Sequence, residues 1–104
     1  MGLPKSNKTE RVPSLEEGLR LYNIGEIDAA RSLLEVLLKH EPLNIDGLVV
    51  LGTCYWRLSL LDKAQAKLEE ALAAQPNNIT ALRILGLVMY SLAKLEEAKE
   101  FLDR

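Results

Sequence analysis

The chain has 104 residues, of which 48% are hydrophobic and 27% are charged, which is the length and composition of one globular domain. Its net charge of -2 gives no overall electrostatic indication of nucleic-acid binding, and its single cysteine excludes an intrachain disulfide. No apolar run reaches the ~18 residues typical of a membrane span, and no apolar signal-peptide region lies near the start, so we expect a cytoplasmic protein without a membrane span.

The predicted elements follow a polar segment, residues 1–10, which is typical of a flexible lead-in. Ser14 and Glu17 have the spacing of a capping box, so we expect the first helix to begin beside them and to end at Gly25. Apolar residues at helical spacing then predict a second helix over residues 27–40.

The later segments predict four more helices. Residues 46–58 are apolar almost all round, so we expect neighbours on most sides of that helix. Residues 62–74 are amphipathic, with alanine and leucine opposite lysine and glutamate. A helix is predicted over residues 80–92, and a last one from about Glu96 to the end of the chain. The expected core side of the helix over 80–92 carries Leu82, Leu85, Met89 and Leu92.

Small and large residues recur at intervals of 34 positions. The recurring sets are Gly18, Gly52 and Gly86, then Ala30, Ala64 and Ala98, then Leu34, Leu68 and Leu102. Repetition at this period is typical of a solenoid of stacked helix pairs. Glycine inside a helix costs about 1 kcal/mol relative to alanine, so its recurrence indicates that the paired helices approach closely.

The central unit has a large residue, Leu-Gly and an aromatic on its first helix, then alanine, a large residue, alanine and proline in and after its second. These residues are Leu48, Leu51, Gly52, Tyr55, Ala64, Leu68, Ala71 and Pro76. The pattern resembles the tetratricopeptide repeat (TPR) family. The resemblance implies an all-α, right-handed superhelix of antiparallel helix pairs, about two and a half repeats long. The units are 11–44, 45–78 and the partial 79–104.

The resemblance also implies a non-enzymatic protein-interaction module, whose concave groove binds an apolar helix or peptide of a partner protein. The family's groove positions fall on Leu15, Leu19, Tyr22, Val49, Thr53, Trp56, Arg57, Arg83, Leu87 and Tyr90. The carboxylate clamp known in the family is not expected, because its positions hold Leu15, Leu19, Val50, Thr80 and Ile84.

No arrangement of residues predicts catalysis, a cofactor or a metal site. The only histidine, His40, and the only cysteine, Cys54, lie on different predicted helices. Two alternatives to partner binding remain open. The domain could self-associate, forming a homodimer through the apolar Phe101 and Leu102 of an uncapped last helix. It could also be a fragment of a longer repeat protein whose cap or catalytic part is absent.

Overall fold

The computed structural model describes residues 11–102, and the predicted lead-in over 1–10 lies outside that range. The described chain forms five helices and no strands: α1 (Leu15–Asn23), α2 (Ile27–His40), α3 (Ile45–Arg57), α4 (Leu61–Ala74) and α5 (Ile79–Leu102). Each helix packs against the next one in sequence, and α3 also contacts α1 and α5. The fold is therefore an all-α repeat superhelix, as predicted.

Side chains at the helix starts explain where the helices begin. The Ser14 hydroxyl accepts the Glu17 backbone N–H at 3.2 Å, and the Glu17 carboxylate accepts the Ser14 N–H at 2.9 Å, which confirms the capping box. The amide oxygens of Asn44 and Asn78 each accept the backbone N–H three residues later, at 2.9 Å. The same cap thus begins α3 and α5, one repeat apart.

The turns inside the first two pairs depend on a left-handed backbone. Gly25, between α1 and α2, has φ +89°, and Ser59, between α3 and α4, has φ +62°. These two positions are 34 residues apart. A positive φ stops the helix and lets the chain turn back, so both pairs become antiparallel.

The core lies along α3, whose near-uniform apolarity predicted that it would be covered. Leu48, Leu51, Cys54 and Tyr55 are 0–4% exposed. The small residues allow close packing, because a Cβ on Gly18 would lie 2.9 Å from Leu34 Cδ2 and one on Gly52 would lie 2.8 Å from Leu68 Cγ, so the leucine would have to shift in either case.

The third unit differs from the prediction, because the expected turn between residues 92 and 96 does not form. α5 runs without a break from Ile79 to Leu102. Ala93 stands where Gly25 and Ser59 have positive φ, and alanine is both the best helix former and poorly suited to that conformation. The helix therefore continues.

The predicted core side of this unit is also wrong in part. Leu82 is 50% exposed and Met89 is 47% exposed, while Ala81, Ile84 and Val88 are buried instead. The buried side is the one that packs on the preceding units. The side with Leu82 and Met89 would face the second helix of its own pair, and within residues 11–102 no such helix folds back to cover it.

Candidate partner-binding groove

Two adjoining open depressions lie along the first helices of the three units. The first, which we call the N-terminal groove, has a volume of about 280 Å³ and combines side chains of α1, α3 and α5. Its lining residues are Leu19, Tyr22, Asn23, Val50, Thr53, Thr80, Arg83 and Ile84. Four predicted site residues, Leu19, Tyr22, Thr53 and Arg83, therefore come together here.

The second depression, the C-terminal groove, is larger, at about 790 Å³. It lies between the turn joining α3 to α4 and the part of α5 that extends beyond it. Its lining residues are Trp56, Arg57, Ser59, Leu61, Tyr90, Ser91, Lys94, Leu95 and Ala98. Three more predicted site residues, Trp56, Arg57 and Tyr90, meet in this groove.

Polar contacts between units hold the aromatic residues in place. The Arg57 guanidinium donates to the Tyr22 hydroxyl at 3.2 Å and lies 5.6 Å from the centre of that ring. The Trp56 indole N–H donates to the Ser91 hydroxyl at 3.2 Å. Since these bonds connect α1 to α3 and α3 to α5, the groove is shaped before any ligand binds.

Three of the predicted site residues line neither groove. Val49 belongs to the core, with 6% exposure, and Leu15 packs against the core at its edge. Leu87 is exposed but lies outside both sets of lining residues. Val49 is thus unavailable as a ligand contact in this conformation.

Sequence reasoning missed two apolar residues of the C-terminal groove, Leu61 and Leu95. Leu61 begins α4, and Leu95 lies in the continued part of α5, so neither belongs to the first-helix segments that the resemblance indicated. Ala93 was the available signal, because alanine at the turn position favours the longer helix that brings Leu95 beside Trp56.

The rim of the grooves is basic. Within residues 11–102, Arg57 and Arg83 have no carboxylate oxygen within 4 Å. Lys94 pairs with Glu97 at 3.6 Å, but both side chains are mostly exposed, so water and salt screen this pair. Lys94 also lies 5.9 Å from the centre of the Tyr90 ring. A ligand with carboxylates beside its apolar residues would match this rim.

The only cysteine and the only histidine of the chain, Cys54 and His40, lie outside both grooves. Cys54 is fully buried, and burial raises the pKa of its thiol to about 11, so the thiol stays protonated at neutral pH. His40 is the last residue of α2 and is exposed. Across the described residues, no three His, Cys, Asp or Glu side chains are grouped to hold a metal ion. None of the described helices is long and apolar enough to cross a bilayer.

Stacked antiparallel helix pairs, with an aromatic groove along their first helices, define a helical-repeat protein. The family model for the tetratricopeptide repeat matches residues 15–79 and again residues 49–104. The two matches together cover most of the chain, which therefore belongs to the tetratricopeptide repeat family. No curated protein sequence matches the chain. Members of this family generally act as protein-interaction scaffolds.

Proposed function

We propose that the protein is a non-enzymatic interaction module that binds an apolar helix or peptide of a partner protein along its two grooves. The observation that carries this proposal is the C-terminal groove, where Trp56 and Tyr90 stand beside Leu61 and Leu95 around an open volume of about 790 Å³. Contiguous apolar patches on the surface of a protein commonly mark binding sites.

The lining also supports a specific kind of ligand. Tyr22, Trp56 and Tyr90 give flat apolar surfaces at one-repeat spacing, which suit the apolar side of an amphipathic helix. Arg57 and Arg83 supply positive charge beside them. The net charge of -2 favours a protein ligand over nucleic acid. The expected ligand therefore has an apolar stripe flanked by carboxylates.

Selection from a displayed library of random peptides, followed by affinity measurement on the purified chain, tests the proposal. We expect Trp56→Ala and Tyr90→Ala each to weaken the selected peptides by about tenfold or more, since aromatic anchors dominate such interfaces. Tyr90 is 64% exposed, so its removal leaves the core intact. Val36→Ala, on an exposed part of α2 away from both grooves, is the matched control. Equal binding of the peptides to all three variants would contradict the proposal that the C-terminal groove is their binding site.

Self-association is a second candidate function, because Phe101 and Leu102 are 77% and 81% exposed at the end of α5. Large apolar side chains this exposed favour burial against another chain. Phe101→Glu tests a homodimer formed at this end. Light scattering should show the mass falling to that of one chain, and an unchanged dimer would exclude this contact.

A further inference from the structure

One side of α5 lacks the covering that its equivalents have. This surface, the Gly86 face, consists of Leu82, Gly86 and Met89. A Cβ built on Gly86 meets nothing within 4 Å, whereas the corresponding Cβ atoms on Gly18 and Gly52 would collide with leucine side chains. The chain thus covers the glycine of the first helix with a leucine in its first two units, and the equivalent surface in the third unit, the Gly86 face, has no such cover.

The two complete units show what covers this kind of surface. In each, the second helix brings a leucine against the glycine of the first helix, and an alanine lies four residues before that leucine. These residues are Ala30 with Leu34 and Ala64 with Leu68, and all four are 0% exposed. The matching occupant of the Gly86 face is therefore a helix with the same Ala-x-x-x-Leu spacing.

The chain carries one such pair that is not packed. Ala98 and Leu102 follow Ala64 and Leu68 by 34 positions, and with Leu95 they form one side of the C-terminal part of α5, which we call the Leu102 stripe. Leu95 is 54% exposed and Leu102 is 81% exposed. Each molecule thus has one empty surface and one unpacked helix of the type that fits it.

The Leu102 stripe cannot reach the Gly86 face of its own molecule while α5 is straight. Gly86 and Leu102 are 16 positions apart on one helix, which separates them by about 24 Å along the axis. Folding back would require Ala93 to adopt a left-handed conformation, costing about 1–2 kcal/mol, and would break several helical hydrogen bonds.

We propose that the Leu102 stripe of one molecule packs on the Gly86 face of a second copy, antiparallel, as α4 packs on α3. In this contact, Leu102 of one copy fills the space beside Gly86 of the next copy. The end of α5 that carries Leu102 then covers Leu82 and Met89 of that copy.

The geometry of α5 decides the symmetry of this association. At about 100° per residue, Leu102 lies about 160° around the helix axis from Gly86. One neighbour therefore cannot occupy the Gly86 face and also receive the Leu102 stripe. The contact is heterologous, so each added copy leaves one Gly86 face and one Leu102 stripe open, and assembly continues head to tail.

Charge complements the apolar contact. Glu97 and Glu100 lie on the same side of α5 as the Gly86 face, while Arg57 and Lys94 border the Leu102 stripe in the C-terminal groove. Antiparallel packing brings the acidic side of one copy towards the basic side of its neighbour. The contact involves essentially one helix from each copy and is small beside the ~1,200 Å² of a stable interface, so we expect weak, salt-sensitive association.

Sedimentation or light scattering over a concentration series tests the proposal on the full chain. We expect the mass to rise past that of a dimer between about 10 μM and 1 mM. Gly86→Leu fills the empty surface, and Leu102→Glu makes the stripe polar. Both positions are exposed, so both variants should remain folded, and each alone should stay monomeric.

Mixing the two variants gives the sharpest result. Gly86→Leu keeps its Leu102 stripe, and Leu102→Glu keeps its Gly86 face, so an equimolar mixture should form a one-to-one dimer and nothing larger. A monomer at every concentration, association unchanged in either variant, or a wild-type assembly that stops at two copies would overturn the proposal. Leu19→Ala is the control: Leu19 lines the N-terminal groove and belongs neither to the Gly86 face nor to the Leu102 stripe. This variant should weaken ligand binding and leave the assembly intact, so the two proposals fail separately.

Discussion

Leu68 packs so closely on Gly52 that a Cβ built on this glycine would lie 2.8 Å from the leucine Cγ. Gly86 occupies the equivalent place in the third unit, and its Cβ would have open space around it. Two glycines at the same position of the repeat thus differ in their packing. Gly52 is needed for the close contact with Leu68, whereas Gly86 has no such contact and only lowers the helix propensity of α5.

Alanine substitutions at these two positions should change stability in opposite directions. Gly52→Ala gains about 1 kcal/mol of helix propensity but forces the helices apart, at an overpacking cost of about 1–3 kcal/mol, so we expect a net loss. Gly86→Ala should add about 0.5–1 kcal/mol, because only the propensity term acts. Urea unfolding at low protein concentration measures both. If Gly86→Ala were destabilising, the Gly86 face would have to be covered in the monomer.

A second stabilising contact connects different units. The buried Tyr55 hydroxyl of α3 donates a hydrogen bond to the Glu35 carboxylate of α2, which also pairs with Arg31. Tyr55→Phe removes this bond and leaves the aromatic packing, so we expect a loss of about 1–2 kcal/mol at pH 7. Tyr90→Phe, on an exposed ring, should be neutral. Equal stability of wild type and Tyr55→Phe would show that the bond contributes nothing net.

The same contact predicts how stability depends on alkaline pH. Burial raises the pKa of the Tyr55 hydroxyl, and its hydrogen bond to the Glu35 carboxylate raises that pKa further. The folded state then keeps a proton that the unfolded chain releases near pH 10, so stability is full below that pH and falls as the pH rises above it. Unfolding of Tyr55→Phe should vary less between about pH 9.5 and 11. The measurement is best made in a Cys54→Ala background, because the raised pKa of that thiol acts in the same direction.

The repeat period predicted most of the fold, because equivalent positions have equivalent partners wherever the neighbouring helix is present. It gave the glycine contacts at Gly18 and Gly52, while the Ser14 cap followed from the Ser14 and Glu17 spacing and the covering of α3 from its apolar residues. It failed in the third unit, where the 34-residue spacing identified Ala98 and Leu102 but not the conformation of Ala93. A turn needs a residue that tolerates positive φ, and that local requirement is independent of the repeat.

The groove was predictable only in part, for a geometric reason. A shift of one residue turns a side chain by about 100° around the helix, which is enough to move Val49 from the groove into the core. Contacts such as Arg57 with Tyr22 join residues on different helices and depend on how the units stack. No pattern within one unit contains that information.

Cys54 should be slow to react with thiol reagents in the folded protein. It is fully buried, and burial raises its pKa to about 11, so both access and the thiolate fraction are low at pH 8. Labelling with a disulfide reagent should be slow in buffer and complete within minutes in denaturant. A cysteine introduced at the exposed Glu100 provides the fast reference. Rapid labelling of Cys54 in buffer would show that α3 opens locally.

Glycine at position 93 should convert α5 into a helix pair. Ala93→Gly supplies the residue type that turns the chain at Gly25, and it costs about 1 kcal/mol of helix propensity, so the straight and folded-back forms come closer in energy. When the chain folds back, the Leu102 stripe covers the Gly86 face of its own molecule. We therefore expect Ala93→Gly to weaken head-to-tail association as well as to shorten α5.

Spin labels at positions 83 and 100, introduced through Arg83→Cys and Glu100→Cys, report the change directly. A straight helix separates these positions by about 26 Å along its axis, whereas a folded-back pair brings the two segments to the roughly 8–10 Å spacing of packed helices. Ala93→Leu, which favours the straight form, is the matched control. If Ala93→Gly kept the long distance while its association fell, the helix would not be folding back, and the loss would need another cause.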